Sequence, residues 1–558
     1  MFSSDINKDG LSLFGLLNLT RSPLGKLLLT QWFKRPSLEM DVLVSRQEAI
    51  ACLTLHANEL HVESMRDAIS FIGNIPRICS RLKKKLSILD WEALLKFSYY
   101  CLKLRVSSDS LKSNVSVFRK VRETFDGNLL KEMGGYINSV IDFEASSADT
   151  SISVKSGVDE DLDELRRSFD GLDDLLSHVA RDIADSIPDD MSDSLNVIYF
   201  PQLGYLITIP LREDMTTRDS FVIAGLDFQF CTEKTIFYKS KQMYEMDEAL
   251  GDLHSIIVDK EIEIVQRLQE AVSEHAQTLI QFSQTCAELD CLLALAEAST
   301  KYGFTRPTLV SDPRLHIVQG RHPLYEQCLE NFIGNDTRLG DSPAADSTAS
   351  QCSGISGDDE DAQGVKVMLV TGPNFSGKSV YMKQVGLIVF MAHIGSFVPA
   401  RSAIIGITDR IVTRIQAVES DTKTQSAFML DSQQMSFALR HATRRSLVLI
   451  DEYGKGTLHS DGVALFCASV VDFVERGVDC PNVIATTHFQ PNQPEIFTHN
   501  LLPDSPIMKE YKMDVFQGNL SHDEKLTFLY RVTAGNAGSS LGLYCAKLAG
   551  VPEMVIQR

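Results

Sequence analysis

The sequence predicts a multidomain α+β protein, with a helix-rich first part interrupted by a small sheet and an α/β domain towards the C-terminal end. Three observations carry this. A glycine-rich loop, made of Gly372, Pro373, Asn374, Phe375, Ser376, Gly377, Lys378 and Ser379, lies between the apolar run Val365–Thr371 and a helical pattern over Val380–Phe390. A second apolar run, Ser446–Ile450, delivers the acid pair Asp451 and Glu452. The hydrophobic period also changes along the chain, helical over 11–140 and 251–307 but rich in β-branched and aromatic residues with intervening turns over 197–241.

The loop fits G-x-x-x-x-G-K-[ST], whose backbone N–H groups and following helix N-terminus can point at phosphate oxygens. Lys378 would reach the β- and γ-phosphates of ATP, and the Ser379 hydroxyl would ligate Mg²⁺. Asp451, at the C-terminal edge of its strand, would hold Mg²⁺ through water, and Glu452 would polarise the attacking water. A third strand, Asn482–Thr487, ends at His488, where an imidazole can sense the γ-phosphate. Ser426 is placed to cap the helix that begins with Ala427.

The 558-residue chain is 44% hydrophobic and 23% charged, as expected of a globular protein with several cores. Its net charge of −20 confines any nucleic-acid contact to local basic patches. The eleven cysteines form no C-x-x-C pair and read as reduced thiols of a cytosolic or nuclear protein. Met1–Gly10 has no basic segment followed by an apolar run, and nowhere do about eighteen apolar residues follow one another, so neither a secretory leader nor a membrane span is predicted.

In chain order, Leu11–Phe33 and Met40–Leu60 carry apolar residues at helical spacing, with a break at Pro36, and Asp90–Trp91 opens a helix running to Leu104. The basic stretch Ile75–Lys85 reads equally as a solvated helix face or a DNA contact. An acidic, Ser-rich segment from Ser146 leads to a short acidic helical region that ends near Asp190. Strands are expected over Val197–Ile209, Phe221–Cys231 and Ile236–Lys241, and Lys234, Lys239 and Lys241 are this sheet's candidate DNA contacts or, alternatively, edge-protecting cations. Between Gly251 and Pro307 the only glycine is Gly303, and the apolar spacing predicts one helix of about 50 residues, about 75 Å long. A Ser/Asp/Gly-rich insertion, 334–364, containing Asp358–Asp361, is expected to be a disordered loop.

The residues Thr371–Gly386, Ile388–Ala400, Ser426–Met429, Asp451–Thr457 and Ala485–His488 together resemble the ATPase domain of the MutS family. Ser12–Asn18, Leu29–Pro36 and the terminal Gly535–Pro552, with Ser540, Gly542, Ala549 and Gly550, extend the resemblance over nearly the whole chain. Gly386–Ala400, Tyr199–Tyr205, Leu226–Phe228 and Leu250–His254 look most like the meiotic crossover branch, the fifth of the eukaryotic homologues. The resemblance implies a helical core and lever (1–160), an inserted sheet-containing clamp (161–243), returning lever helices (244–305) and an ABC-type P-loop ATPase (306–558). It further implies a DNA-dependent ATPase of the nucleus, without membrane association. Such a protein pairs with the fourth MutS homologue and closes around double-stranded DNA and branched, Holliday-junction-like recombination intermediates. It makes Asn374 a phosphate contact in cis, Ser426 a contact to the partner's γ-phosphate in trans, and His488 a switch residue.

Two departures stand out against the family pattern. Thr424 occupies a position of the trans loop that usually carries glycine, which brings a Cβ towards the phosphate. The sequence also begins at the lever and stops at Arg558, which points to a shortened chain lacking the mismatch-recognition and connector domains. The alternatives to a meiotic clamp are a mismatch-repair MutS homologue and a nucleotide-binding scaffold with little turnover.

Overall fold

A computed structural model describes residues 11–111, 115–148, 152–184, 195–201, 203–211, 221, 223–340, 364–415, 427–488, 501–517, 526–535, 537 and 549–556. The chain forms two compact units that interleave in sequence, one of residues 1–70, 104–123 and 284–558, the other of 71–103 and 124–283. Among the described residues no helix is long and apolar enough to cross a membrane.

The second unit contains a short antiparallel pair, β1 (Ile141–Asp142) with β2 (Ser153–Val154). It also holds a four-stranded antiparallel sheet of β3 (Asn196–Phe200), β4 (Gly204–Pro210), β5 (Asp227–Cys231) and β6 (Thr235–Lys239), in the order β3-β4-β6-β5. Tyr205, Ile207 and Ile209 of β4 and Ile236 and Tyr238 of β6 form one buried layer against Leu172, Leu176 and Ile183 of the helix Leu172–Ala184. Each apolar side chain of this kind stabilises the fold by about 1.5–3 kcal/mol when fully buried. The expected strand Phe221–Cys231 shortens to β5, because Ile223 and Leu226 pair with each other in an isolated bridge. The expected strand ending at Lys241 stops at Lys239, because the Ser240 hydroxyl accepts from the Met243 N–H and caps a new helix, Lys241–Ala249.

The glycine-poor stretch after Gly251 forms two helices, Leu253–Glu274 and Ala276–Tyr302, where one is expected. At His275 the backbone N–H turns back onto Ser273 and Val272, and the ladder resumes when Leu279 N–H reaches the His275 carbonyl. Neither glycine nor proline marks this break, which is why the residue pattern runs straight through it. Gly303, with φ of 62°, ends the second helix in the left-handed conformation.

In the first unit, Leu11–Phe33 divides into Leu13–Leu17 and Pro23–Lys34. Ser22 caps the second of these while donating to Asp290, 2.6 Å away. The helix approaches so closely that a Cβ on Gly25 would lie 2.0 Å from Asp290 Oδ2.

This unit carries β7 (Thr308–Val310), β8 (Leu315–Gly320), β9 (Asn335–Leu339), β10 (Val367–Thr371), β11 (Ser402–Gly406), β12 (Ile411–Arg414), β13 (Leu447–Asp451), β14 (Asn482–Thr486), β15 (Met508–Gln517) and β16 (Leu526–Ala534). One sheet runs β7-β11-β8-β9. Strand β9 falls inside the expected disordered insertion: Asn335, Thr337 and Leu339 alternate inward, and this period-two pattern overrides the polar composition. Residues 341–363 of that insertion lie outside the described residues. The other sheet runs β12-β13-β14-β10-β15-β16, parallel except for β16. Every residue of β10, β13 and β14 is buried, because helices cover both faces. On one side Val463, Phe466, Val470 and Phe473 of the helix His459–Glu475 join Val367, Leu369, Val448, Ile450, Val483 and Ala485 in one core. On the other side the helix Lys378–His393 lies so close that a Cβ on Gly386 would meet Leu449 at 2.8 Å.

Candidate nucleotide-binding site

The glycine-rich loop leaves the C-terminal tip of β10, the central strand, and turns into the helix Lys378–His393. Gly377 precedes the helix at φ 96°, a conformation glycine adopts without strain, and no side chain caps that end. The first N–H groups of the helix therefore face the loop as donors for an anion. Gly372, at φ 152°, is crowded as well: a Cβ there would lie 3.0 Å from Met513 and 3.2 Å from Ser376 Oγ. Phe375 holds a positive φ of 63° with its ring 75% exposed. Lys378 is buried, and its ammonium donates to the Gly372 and Pro373 carbonyls at 2.7 and 2.9 Å.

Three elements converge on one carboxylate. Asp451 ends β13, and its Oδ1 accepts from Ser379 Oγ at 3.0 Å and from Thr486 Oγ1 of β14 at 2.6 Å. A hydroxyl beside a carboxylate is a hard oxygen donor set, which fits Mg²⁺ completed by water and phosphate oxygens. Among the described residues no group of three or more His, Cys, Asp or Glu side chains is placed to hold a metal.

Glu452 follows at φ 52°, an uncommon conformation for a residue with a Cβ, and its N–H donates to the Thr486 carbonyl at 3.0 Å. Its Oε2 receives Lys455 Nζ. Its Oε1 faces His488 Nε2. Burial alone would raise the Glu452 pKa; the contacts with His488 and Lys455 outweigh it and hold the pKa at about 2. Glu452 is therefore a carboxylate at neutral pH, as a water-orienting group requires.

Beside the loop lies a cavity of about 550 Å³, within the usual range for small-molecule sites. Its walls include Asn374, Phe375, Ser379 and Glu452 on the phosphate side and Tyr325, Leu329, Phe332, Ile333 and Tyr530 on the other. Tyr325, Leu329, Ile333, Phe375 and Tyr530 are each more than 40% exposed. One exposed apolar residue is ordinary, but five around one hollow next to a phosphate loop make a surface for a flat, apolar-faced group such as a nucleobase. Asn335 ties this wall together, donating to the Tyr530 carbonyl at 3.0 Å and accepting from Val532 N–H at 2.8 Å. His322, its pKa lowered to about 4 by burial and by Lys383, accepts from the N–H groups of Leu324 and Tyr325 and so fixes the Tyr325 turn as a neutral ring. None of these wall residues has a motif of its own; the available signal was apolar residues, Phe332 and Ile333, within an otherwise polar stretch.

Two family profiles match the chain, MutS domain III over residues 2–296 and MutS domain V over residues 368–558. The chain belongs to the MutS family. Relatives named MutS protein homolog 5 are 33% identical in Saccharomyces cerevisiae and 28% identical in Caenorhabditis elegans, each over 98% of this chain. The chain spans 62% of the yeast relative and 38% of the nematode one. A DNA mismatch repair protein MutS from Thermotoga maritima is 29% identical over 98% of this chain and 62% of its own length.

Within this MutS chain, Lys378, Ser379, Asp451, Glu452 and His488 come together at the tips of β10, β13 and β14. Ser426 and Thr424 lie outside the described residues, as do Ser540 and Gly542. The three lysines of the small sheet separate. Lys239 is committed to an ion pair with Asp247, which also accepts from Tyr205 N–H, and its side chain is 13% exposed. Lys241, 93% exposed, makes a surface pair with Glu245 at 3.4 Å, and Lys234 is exposed in the turn between β5 and β6. That leaves Lys234 and Lys241 as the members of the trio that present a cation to solvent.

Proposed function

We propose that the chain is a subunit of an ATP-dependent DNA clamp acting on meiotic recombination intermediates, with ATP binding closing the clamp and hydrolysis releasing it. The observation that carries this reading is the meeting of Ser379 and Asp451 at 3.0 Å at the head of the phosphate loop, with Glu452 next in sequence, in a chain of the MutS family. In an ABC-type ATPase domain, Gly372, Pro373, Asn374, Phe375, Ser376, Gly377 and Lys378 cradle the phosphates. Lys378 exchanges its loop carbonyls for phosphate oxygens, and Asn374 contacts phosphate in cis. Mg²⁺, when bound at Ser379 and Asp451, neutralises charge on the phosphates. Glu452 orients the attacking water, His488 moves with the γ-phosphate, and Ser426 reaches the partner's γ-phosphate in trans.

The similarity to the MutS protein homolog 5 relatives supports a nuclear role in crossover formation, as a heterodimer with the fourth MutS homologue. The substrates are double-stranded DNA and Holliday-junction-like branches, contacted through phosphates rather than base edges. Residues 1–160 and 244–305 act as core and lever, 161–243 as clamp and 306–558 as motor, and Lys234 and Lys241 face the DNA backbone. The test is ATP turnover and mant-ATP binding with the partner present. Glu452→Gln should retain mant-ATP and lose turnover by at least about a hundredfold. Equal turnover of wild type and variant would remove Glu452 from the chemistry, and failure of wild type to bind mant-ATP would remove the ATPase reading itself.

A second reading, mismatch recognition, has the similarity to the Thermotoga maritima mismatch repair protein behind it. Competition between a four-way junction and a mismatched duplex separates the two readings, since a meiotic clamp prefers the junction.

A further inference from the structure

Arg414, the last residue of β12, is 3% exposed, and its guanidinium joins two elements that the sequence keeps apart. Nη1 donates to the backbone carbonyl of Asp451. Nη2 pairs with Asp431, on the helix Ala427–His441. The Asp451 carbonyl belongs to the same peptide unit as the Glu452 N–H, which donates to the Thr486 carbonyl at 3.0 Å. Both polar ends of the peptide between the metal-site acid and the water-orienting acid are thus fixed, one by Arg414 and the other by β14. That peptide carries Glu452 at φ 52°, a conformation that persists in a residue with a Cβ only when its surroundings hold it. A second contact links the same helix to this region, since a Cβ on Gly456 would meet Phe428 Cβ at 3.1 Å.

We propose that Arg414 is a positioning residue that transmits the placement of the helix Ala427–His441 to Glu452. The helix begins one residue after Ser426, so a contact between subunits there would bear on the geometry of Glu452 through Asp431, Arg414 and the Asp451 carbonyl. The inference rests on the ATPase reading above and adds a route by which the state of one subunit's nucleotide sets the competence of the other. A guanidinium suits the task because its planar fork serves a carboxylate and a carbonyl at once, whereas an ammonium is a point charge that reaches one acceptor well.

Removing Arg414 alone strands the Asp431 carboxylate in the interior, so the deciding variant is Arg414→Met with Asp431→Leu, which deletes both charges together. It is assayed with the partner subunit by thermal melting, mant-ATP binding and steady-state turnover. The variant should melt within about 5 °C of wild type. It should bind mant-ATP within about twofold, keep its KM for ATP and lose about tenfold or more in kcat, because only the reacting geometry is disturbed. Arg414→Lys, a second variant that keeps the buried charge paired, should recover part of that kcat at unchanged KM. Wild-type kcat in Arg414→Met/Asp431→Leu, or a loss that appears wholly in KM, overturns the positioning role while leaving the ATPase reading intact. Should the double variant not melt cooperatively, wild-type kcat in Arg414→Lys overturns the role. Absence of mant-ATP binding and turnover in wild type overturns the ATPase reading and, with it, this inference.

Discussion

The two sheets on which the proposal depends are built in opposite ways. In the nucleotide-site sheet, β10, β13 and β14 are buried at every position under helices on both faces, and their tips hold polar groups in tight mutual contact. In the small sheet, β3 to β6 bury one layer against a helix, while Phe228 and Phe200 stay well exposed and Phe230 stacks on Phe237 at 4.4 Å. Full enclosure fixes side chains to within fractions of an ångström, which phosphoryl transfer needs. An open face with exposed cations at the sheet's margins suits a DNA backbone, where charge matters more than exact placement. On the proposed reading, the chain places its chemistry where side chains are most enclosed and its DNA contact where they are most open.

The largest effect is expected at the glycine-rich loop. Lys378→Ala should abolish mant-ATP binding, a loss of at least about a hundredfold in affinity, with little change in melting temperature. Retained binding would mean that Lys378 serves only its own loop carbonyls. A smaller effect is expected from overfilling the enclosed sheet: Gly386→Ala pushes a methyl against Leu449 Cδ1, and with about 1 kcal/mol of helix propensity offsetting the packing cost it should destabilise by no more than about 2 kcal/mol in denaturant titrations. A truncation beside the open sheet, Lys241→Ala at the start of the helix Lys241–Ala249, should move stability by less than about 0.5 kcal/mol. It should instead reduce the slope of log affinity for duplex DNA against log salt by about 1, because one phosphate contact is gone. Lys239→Ala should show the reverse pattern, lower stability with an unchanged salt slope, since its charge is committed to Asp247.

The smallest effect is a pH dependence confined to the cavity wall. His322 has its folded pKa lowered to about 4, so the unfolded chain takes up the proton first as pH falls. The stability it contributes is whole above about pH 6.5 and declines from there towards about pH 4. His322→Asn should flatten the fall in melting temperature over that window, and an identical pH profile in the variant would show that the ring is not held neutral.

What the residues announced in advance follows the same division. The loop, the acid pair and His488 were legible because each sits at the end of an apolar strand, where residue type and position are tightly constrained. Even the join between Ser379 and Asp451 follows from parallel strands that release both residues at one edge. The cavity wall was not legible: Tyr325 and Phe332 share one stretch, Tyr530 comes from another about two hundred positions on, and Asn335 joins the two by bonding to Tyr530 and Val532. Arg414 was silent for a related reason, since an arginine closing a strand carries no local mark of the carbonyl and the carboxylate it will meet. The break at His275 shows the limit of a helical pattern that runs on without a glycine or proline, and β9 the limit of composition, which hid its period-two pattern.

On the proposed reading, nucleotide chemistry in the enclosed sheet governs a topological hold on DNA. The most direct measurement is retention of the chain with its partner on closed-circular versus linear duplex, with and without ATP and Mg²⁺. A clamp predicts salt-resistant retention on closed circles that requires ATP, with loss from free ends on linear DNA. Equal retention on both forms, independent of ATP, would contradict it.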